Sequence, residues 1–302
     1  MPSLPFGCPI DVTLADRFLE QTQNPDGGWG YHPGDPSMVE PTGAAMLALS
    51  DGFDRPAWAR ARAWLERAQH PDGGWGFGLE DPESHWATAW AILALARRQP
   101  DTPAVRLGVR WLWEVPVLRI VQRDLTEEIA RGLGIDPAIA GGPWRPGEAA
   151  WVEPTALALL ALAAVGALAE NPSRIAEAVR YLADRRCRGG GWNFGNPFML
   201  GAYLPPRAHP TAWALLALGQ VAPDQIRDED VAALRHEMAA DGGAMALALG
   251  MLVLETIGRP DPQARARLAA MQQPDGSWAG SPYVTALARL ALGGGWPWRP
   301  RA

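Results

Sequence analysis

Glutamate and histidine recur at one place in this sequence, two residues before a threonine that begins an alanine- and leucine-rich stretch. Glu40 and Glu153 each stand in Val-Glu-Pro-Thr, and His209 stands in Ala-His-Pro-Thr. A carboxyl group that is buried or lies beside a like charge keeps its proton near pH 7, so it can act as a general acid. We therefore interpret Glu40, Glu153 and His209 as candidate catalytic residues for acid–base chemistry.

Aromatic side chains and one further histidine lie in the same regions of the chain. Rings that face a cavity stabilise a cation through their π faces, whereas rings that face neighbouring helices fill the core. The sequence leaves both interpretations open. The side chains that we expect to contact a hydrophobic substrate are His85, Trp86, Trp90, Trp151, Trp213 and Tyr283.

Composition limits the other kinds of chemistry. Of the 302 residues, 48% are hydrophobic and 20% are charged, which is typical of a folded globular protein. The absence of lysine excludes Schiff-base chemistry, pyridoxal attachment and the Walker P-loop, because each needs an amine. The net charge of −6, without a block of like charges, argues against a nucleic-acid partner. We therefore expect no nucleic-acid partner and no cofactor.

The sequence also indicates where the chain resides. Residues 1–5 lack the basic and apolar regions of a signal peptide. The longest apolar run, residues 156–169, has 14 residues, fewer than the roughly 20 that span a bilayer. Cys8 and Cys187 form no Cys-x-x-Cys pair, which favours a reducing compartment. We expect a cytoplasmic protein, and a peripheral membrane contact stays open.

The elements that position these residues follow from an internal repeat that contains many of the 15 tryptophans. Residues 18–29, 64–75 and 181–192 share one pattern: an aromatic residue, then Gln or Arg, then a Gly-rich turn that ends in Trp. Partial copies lie at residues 110–144 and 272–278, with Trp144 as the tryptophan of the third unit, and Ala244 stands where the fifth should have its Trp. Six units at a period near 50 indicate one repeat domain, residues 1–302.

Each unit contains two kinds of helix. The first is amphipathic and ends where Pro and Gly force a turn. The second is apolar nearly all round, so it must be buried on every side. We expect these second helices to open at the threonines, which are Thr42, Thr88, Thr155, Thr211 and Thr285. Alternating amphipathic and buried helices predict an all-α (α/α)6 toroid, two concentric rings of six helices with little sheet.

Gln followed six residues later by Trp, after a Gly-rich turn, resembles the QW motif of squalene-hopene and oxidosqualene cyclases. The inner-helix pattern is similar to that of protein prenyltransferase β subunits. The resemblance covers about residues 10–295, and it implies that most of the Gln and Trp residues are structural. It also implies an isoprenoid substrate and a catalytic acid two residues before Thr, where Glu40 and Glu153 stand. The chain has no Asp-x-Asp-Asp sequence, and Pro41 and Pro154 follow the two glutamates.

Zinc is the cofactor that a prenyltransferase-like subunit would need. Glu40, His85, Glu153 and His209 have the chemistry of metal ligands. Helix axes pack roughly 8–10 Å apart, so residues on non-adjacent helices of a six-membered ring could hardly share one ion. Cys187 lies in a turn after an outer helix, at the wrong end for a ligand at the mouth of the ring. We predict no metal site.

Three functions remain. The first is a terpene cyclase-like isomerase that acts on an isoprenoid or other hydrophobic substrate in a central cavity by acid–base chemistry. The second is a non-catalytic toroid that binds a hydrophobic ligand or a protein partner, in which Glu40 and Glu153 could become Gln without loss of function. The third is a zinc-dependent prenyltransferase-like subunit. We favour an enzyme of the first kind.

Two regions depart from the repeat. Residues 115–140 form an insertion with helical periodicity, a candidate lid, membrane-contacting helix or partner surface. The fifth unit lacks both its Trp and its loop, so we expect its sector of the ring to be the weakest or the most open.

Overall fold

The computed structural model describes residues 12–52 and 55–298, and helices dominate that part of the chain. Six amphipathic helices form an outer ring: α1 (Val12–Gln21), α3 (Pro56–Arg67), α5 (Pro103–Glu114), α8 (Pro172–Asp184), α10 (Asp228–Asp241) and α12 (Pro262–Ala270). Six apolar helices form an inner ring: α2 (Val39–Ala48), α4 (Thr88–Ala96), α7 (Val152–Ala164), α9 (Ala208–Val221), α11 (Ala244–Thr256) and α13 (Pro282–Gly293). The predicted all-α toroid is confirmed.

The inner helices close into a ring. Each packs against the next in chain order, from α2 through α4, α7, α9 and α11 to α13, and α13 packs back against α2. All ten residues of α2 and all nine of α4 are buried. A helix that is apolar on every face can satisfy the hydrophobic effect only with neighbours on every face, which the inner ring provides.

Proline marks where four outer helices begin, because its fixed φ suits the first turn and its missing N–H is not needed there. Pro56, Pro103, Pro172 and Pro262 are the first residues of α3, α5, α8 and α12. Three of these helices are also capped by the side chain of the preceding residue, Thr102, Asn171 or Asp261, which accepts a backbone N–H of the first turn.

One set of hydrogen bonds recurs around the molecule. In the second unit, the Trp75 indole N–H donates to the carbonyl of Leu65 at 2.8 Å, and the Trp75 backbone N–H donates to the Thr88 hydroxyl at 2.9 Å. The Gln69 amide donates to the carbonyls of Gly73 and of Ala104 at the start of the next outer helix. These bonds join the outer helix, the turn and the inner helix of one unit to the following unit.

The fourth unit preserves this connection with a different side chain. Arg186 replaces Gln and pairs with buried Asp230 at 2.9 Å, and it also donates to the carbonyl of Gln225 just before α10. The pairing shows that this arginine ties two units together.

Most inner helices begin earlier than their threonines. Helices α2, α7, α9 and α13 start three residues before Thr, and only α4 starts at Thr88. The Thr side chains therefore lie inside the first turn of the helix. There each hydroxyl accepts a backbone N–H from the residue that ends the preceding Gly-rich turn. Glu40, Glu153, His209 and Tyr283 are therefore the second residues of their helices.

The third unit differs from the sequence alignment. Gly142, not Trp144, donates its N–H to the unit's Thr155 hydroxyl and pairs with Trp151, as Trp29 does with Thr42 and Met38 in the first unit. Trp144 packs instead edge-on against Trp86, with ring centroids 5.0 Å apart. The inserted segment shifts the register by two residues, which the spacing of Gly and Trp did not reveal.

Sheet is restricted to two short antiparallel pairs in the described residues. Strands β1 (Gly142–Pro143) and β2 (Ala150–Trp151) pair Gly142 with Trp151, and β3 (Phe198–Met199) and β4 (Ala202–Tyr203) pair Phe198 with Tyr203. The insertion carries α6 (Arg123–Leu133), which has no buried residue and contacts β3. Within the described chain, no helix is both long and apolar enough to cross a membrane.

Candidate active site

Two buried glutamates lie at the N-terminal mouth of the inner ring. Glu40 is 8% exposed and Glu153 is 5% exposed. Helix α4 separates α2 from α7 in the ring, so the two carboxyl groups reach the mouth from two sides of α4. The first turn of an α-helix directs its side chains beyond the helix start, which is why the second residue of each inner helix can take part in one cluster.

Two tyrosines hold the Glu40 carboxyl group. The Tyr283 hydroxyl of α13 donates to Oε1 at 2.7 Å, and the Tyr31 hydroxyl donates to Oε2. Their rings pack edge-on, with centroids 5.6 Å apart. Burial raises the pKa of both phenols well above the usual range, and so does the neighbouring Glu40, so both remain donors at neutral pH.

The environment holds the pKa of Glu40 near neutrality. Burial and then the charge of Glu153 raise this pKa from its ordinary value of 4.5 to about 7. The hydrogen bonds from Tyr31 and Tyr283 and the charge of His209 oppose that rise, since they favour the carboxylate. Glu40 therefore exchanges a proton near pH 7, as a general acid or base at neutral pH must.

Glu153 is paired with His209 of the adjacent helix α9. The His209 Nε2 atom lies 3.2 Å from Oε1 of Glu153, although the two groups are not aligned for a full hydrogen bond. Burial alone would lower the pKa of His209, but contact with Glu153 and the charge of Glu40 raise it above its usual range. The Glu153–His209 pair therefore has a basic group beside its carboxyl group, whereas the hydrogen-bond partners of Glu40 are tyrosine hydroxyls.

Aromatic rings fill the lumen below the carboxyl groups. Trp90 of α4 packs edge-on against Trp213 of α9 at 5.5 Å and against Tyr283 at 6.0 Å, contacts that cross the ring. Trp296, after the last helix, packs against Trp213 at 6.1 Å. The indole N–H groups of Trp90, Trp213 and Trp296 are buried without an acceptor. Three predicted contact residues, Trp90, Trp213 and Tyr283, thus meet beneath Glu40.

A pocket of about 440 Å³ adjoins His209 of the Glu153–His209 pair. It lies between α9, α10 and α11, and His209, Met245 and Leu249 line it. Helix α11 belongs to the unit that lacks both a tryptophan and a loop, and α10 connects to it through only Gly242 and Gly243. The missing loop leaves room at the mouth beside His209.

The other predicted contact residues lie elsewhere at the mouth. His85 is fully buried, its Nε2 bonded to Asp81 at 3.0 Å and its Nδ1 accepting the Ala87 N–H. Burial lowers the pKa of His85, which favours a neutral ring. Trp86 packs against Trp144, and Trp151 lines a separate pocket of about 310 Å³ next to β3. These three side chains do not share the hydrogen bonds of Glu40 or the ion pair of Glu153.

Tyr31 is the site residue that the sequence analysis missed. It lies two residues after Trp29, a position that is aromatic in each of the first four units. The residues at this position are Tyr31, Phe77, Trp144 and Phe194. Only Tyr31 among them carries a hydroxyl, and that difference within the repeat was the available signal.

No metal centre is evident in the parts of the chain that the structure describes. No group of three or more His, Cys, Asp or Glu side chains there could hold an ion. Cys187 is buried in its turn, and burial raises its thiol pKa to about 11, which disfavours the thiolate that a metal needs. Cys8 lies outside the described residues.

Known proteins resemble the chain in part of its sequence and in its fold. No protein-family model matches it. A stretch of 48 residues is 55% identical to drimenyl diphosphate synthase from Streptantibioticus cattleyicolor. That stretch is 16% of this chain, and it spans only 9% of the length of the synthase.

Solved structures with the same fold include enzymes of different classes. Type II terpene cyclase MstE from Scytonema, in complex with geranylgeranyl dihydroxybenzoate, has a TM-score of 0.59 at 18% identity over 93% of this chain and 95% of that chain. An alpha-amylase from Clostridium perfringens has a TM-score of 0.60 at 11% identity over 96% and 99%. At such identities the likeness shows a shared fold and does not identify a substrate.

Proposed function

We propose that the chain is a terpene cyclase-like enzyme that cyclises an isoprenoid by protonating it at Glu40. The observation that carries this proposal is the Glu40 carboxyl group, whose pKa is about 7 between two tyrosine donors and above a set of aromatic rings. No other described group combines a neutral-range carboxyl pKa with adjacent aromatic faces.

The first step is proton transfer. Protonated Glu40 donates its proton to a carbon of a terminal alkene or to an epoxide oxygen of the substrate, and a carbocation forms as the double bond or the C–O bond breaks. The carboxylate left on Glu40 is stabilised by the hydroxyls of Tyr31 and Tyr283, which already point at its oxygens. Burial keeps the acid protonated before the step, and the tyrosines lower the energy of its product.

The last step returns a proton to the protein. Ring closure moves the positive charge along the substrate. Trp90 and Trp213 are fully buried and pack edge-on against each other, so the substrate must part these rings before their faces can stabilise the charge. Loss of a proton from a neighbouring carbon to the Glu153–His209 pair then forms the final double bond. The reaction is an isomerisation, since one proton is added and one is removed.

Two of the comparisons are in keeping with this proposal. The 48-residue stretch that is 55% identical matches a drimenyl diphosphate synthase, and the MstE chain matched over 95% of its length is a type II terpene cyclase. The toroid is therefore comparable in length to that solved cyclase chain.

Isotope incorporation tests the proposal directly. The full chain is incubated in D₂O with linear isoprenyl diphosphates and with geranylgeranyl dihydroxybenzoate, and products are analysed by gas chromatography and mass spectrometry. Protonation by Glu40 places one deuterium in each cyclised product, because a carboxyl proton exchanges with solvent.

Glu40→Gln should abolish the product, whereas Glu148→Gln, on an exposed loop, should leave it unchanged. A cyclised product without deuterium would contradict an acid-initiated reaction. If the wild type and Glu40→Gln bind these isoprenoids equally well and neither turns them over, the non-catalytic toroid would be favoured.

A further inference from the structure

A column of four aromatic rings connects Glu40 to the opposite end of the inner ring. Tyr283, whose hydroxyl binds Glu40, packs against Trp90 with ring centroids 6.0 Å apart. Trp90 packs against Trp213 at 5.5 Å, and Trp213 packs against Trp296 at 6.1 Å. None of the four side chains is more than 3% exposed. A substrate that reaches down the lumen from Glu40 must therefore displace at least one of these rings.

Trp296 differs from the other three aromatic residues because it does not belong to a helix. Trp90, Trp213 and Tyr283 lie on the inner helices α4, α9 and α13, which their neighbours hold in the ring. Trp296 lies in the segment of residues 294–298, which follows α13 and is not helical. Of the four rings, it is the one that can leave the lumen while every helix stays in place.

The segment of residues 294–298 lies where the inner helices end, on the side of the ring away from the mouth. Residues 293–297 line a pocket together with Leu47 near the end of α2, Arg97 just after α4, and Leu290 near the end of α13. The ends of three inner helices thus surround the segment, and Trp296 closes the lumen at this end.

Backbone hydrogen bonds hold this segment only at its start, within the described chain. The N–H groups of Gly294 and Gly295 both donate to the Leu290 carbonyl. The Trp296 indole N–H is buried without an acceptor, whereas the buried Trp75 indole donates to a leucine carbonyl. Burying a donor without a partner costs free energy, and water would supply an acceptor once the ring left the lumen.

Glycines and a neighbouring pocket give the segment the means to move. Gly294 has φ 144° and ψ −1°, and Gly295 has φ 88°, backbone conformations that other residues rarely adopt. A Cβ atom at Gly294 would meet no atom within 4 Å, so only the backbone conformation requires glycine there. The pocket has a volume of about 370 Å³, within the roughly 300–1,000 Å³ of pockets that hold small molecules, so it can receive the indole ring.

We propose that Trp296 is an internal plug that occupies the far end of the substrate site, and that an isoprenoid chain binds in its place when residues 294–298 move out of the lumen. Withdrawal of the plug removes the ring that packs on Trp213, so Trp213 can turn away from Trp90 and present its face to the substrate. The choice of an isoprenoid rests on the proposed function, whereas the plug would respond to any long apolar chain.

Calorimetric titration of the full chain with farnesol tests the plug. In the wild type, displacing Trp296 weakens the apparent affinity, because only the open form binds. Trp296→Ala removes the plug, and Gly294→Ala strains its closed conformation while keeping the indole ring. Each variant should bind farnesol at least about threefold more tightly than the wild type. Trp113→Ala, which removes a half-buried indole from α5, should leave the affinity unchanged.

Hydrogen exchange follows the plug in the wild-type protein. A bound ligand usually slows the exchange of the amides that it covers, whereas withdrawal of the plug exposes the amides of the plug itself. Farnesol should therefore speed the exchange of residues 294–298 and should not speed that of α4 and α9. Mass spectrometry of peptides from the full chain, with and without farnesol, measures both effects.

Equal farnesol affinity in the wild type, Trp296→Ala and Gly294→Ala would overturn the plug, and so would a lack of binding in all three. Exchange of residues 294–298 that farnesol slows or leaves unchanged would overturn it too. Gly294→Ala keeps every ring of the column and serves if Trp296→Ala does not fold. Failure of the proposed function would look different: both variants would bind farnesol more tightly, yet no cyclised product would form in D₂O.

Discussion

At the scale of single residues, the Glu40 carboxyl group is subject to opposing influences. Burial and Glu153 disfavour its charged form, while Tyr31 and Tyr283 favour it. The folded-state pKa of about 7 lies above the ordinary value of 4.5, so the folded protein holds this proton more tightly than the unfolded chain does. A residue selected for packing alone gains nothing from this arrangement, because an amide would avoid the cost of burying a charge.

Glu40→Gln should make the protein more stable at alkaline pH while removing the proposed cyclase activity. Below about pH 4.5 the Glu40 carboxyl group is protonated in both the folded and the unfolded chain, so it does not lower the free energy of unfolding. Between about pH 4.5 and pH 7 only the unfolded chain releases this proton, so the free energy of unfolding falls as the pH rises. At pH 8 the variant should exceed the wild type by about 1–3 kcal/mol in the free energy of unfolding. Urea unfolding at pH 4.5 and pH 8 measures this, with Glu148→Gln as control.

Tyr31→Phe should move the pH profile of the proposed cyclase activity. The hydrogen bond from Tyr31 lowers the pKa of Glu40, so its removal raises that pKa, and the loss of activity with rising pH should occur at a higher pH than in the wild type. Tyr203→Phe, on exposed β4, should leave the profile in place. An unchanged descending limb in Tyr31→Phe would show that Glu40 is not the titrating acid.

At the scale of elements, the threonine hydroxyl at the start of each inner helix joins that helix to its loop. Thr88 accepts the backbone N–H of Trp75 in a site with no access to water. Thr88→Val keeps the shape but leaves this N–H without an acceptor, so we expect a loss of about 1–3 kcal/mol in the free energy of unfolding. Thr88→Ser keeps a hydroxyl, so it should retain most of the free energy of unfolding that Thr88→Val loses. Urea unfolding measures both variants, and equal losses would assign the effect to packing.

The sector formed by α10 and α11 should open more readily than the rest of the ring. It has no buried tryptophan of its own, and the pocket beside His209 lies within it. Local opening is favoured where fewer apolar groups are buried, so backbone amides of α11 should exchange faster with deuterium than those of α2 and α4. Hydrogen-exchange mass spectrometry can check this, and uniform protection of the inner helices would contradict it.

At the scale of the whole molecule, the ring is closed by a charged cluster between the first and last units. Arg289 of α13 binds buried Asp16 of α1 at 3.0 Å and Asp51 at 3.0 Å, and Arg55 binds the other oxygen of Asp16 at 2.8 Å. This cluster joins residues that are more than 200 positions apart in the chain.

Arg289→Met should weaken the closure of the ring. It leaves Asp16 buried with only Arg55 as partner, and we expect a loss of about 2–4 kcal/mol in the free energy of unfolding. Arg110→Met removes an exposed pair with Glu114 and should cost less than about 1 kcal/mol. The double variant Asp16→Asn/Arg289→Met should recover part of the stability that Arg289→Met loses. If Arg289→Met loses no more than Arg110→Met, the cluster does not hold the ring closed.

The sequence by itself determined the architecture and the places where chemistry could occur. The alternation of amphipathic and fully apolar helices requires an inner and an outer ring, since an all-apolar helix must be surrounded. A repeated motif also puts equivalent residues at equivalent places in the fold, so the repeat alone assigns Glu40, Glu153 and His209 to one mouth of the ring.

Only the tertiary structure decided which side chains meet and with what consequence. Tyr283 reaches Glu40 across 243 residues because the ring closes, and the pKa of Glu40 depends on how completely its neighbours exclude water. The register of the third unit was likewise hidden, because an insertion changes which residue, Gly142 or Trp144, receives the hydrogen bonds of the repeat. Spacing along the chain records the local period of a repeat, whereas distance across a closed ring and burial depend on all of its helices at once.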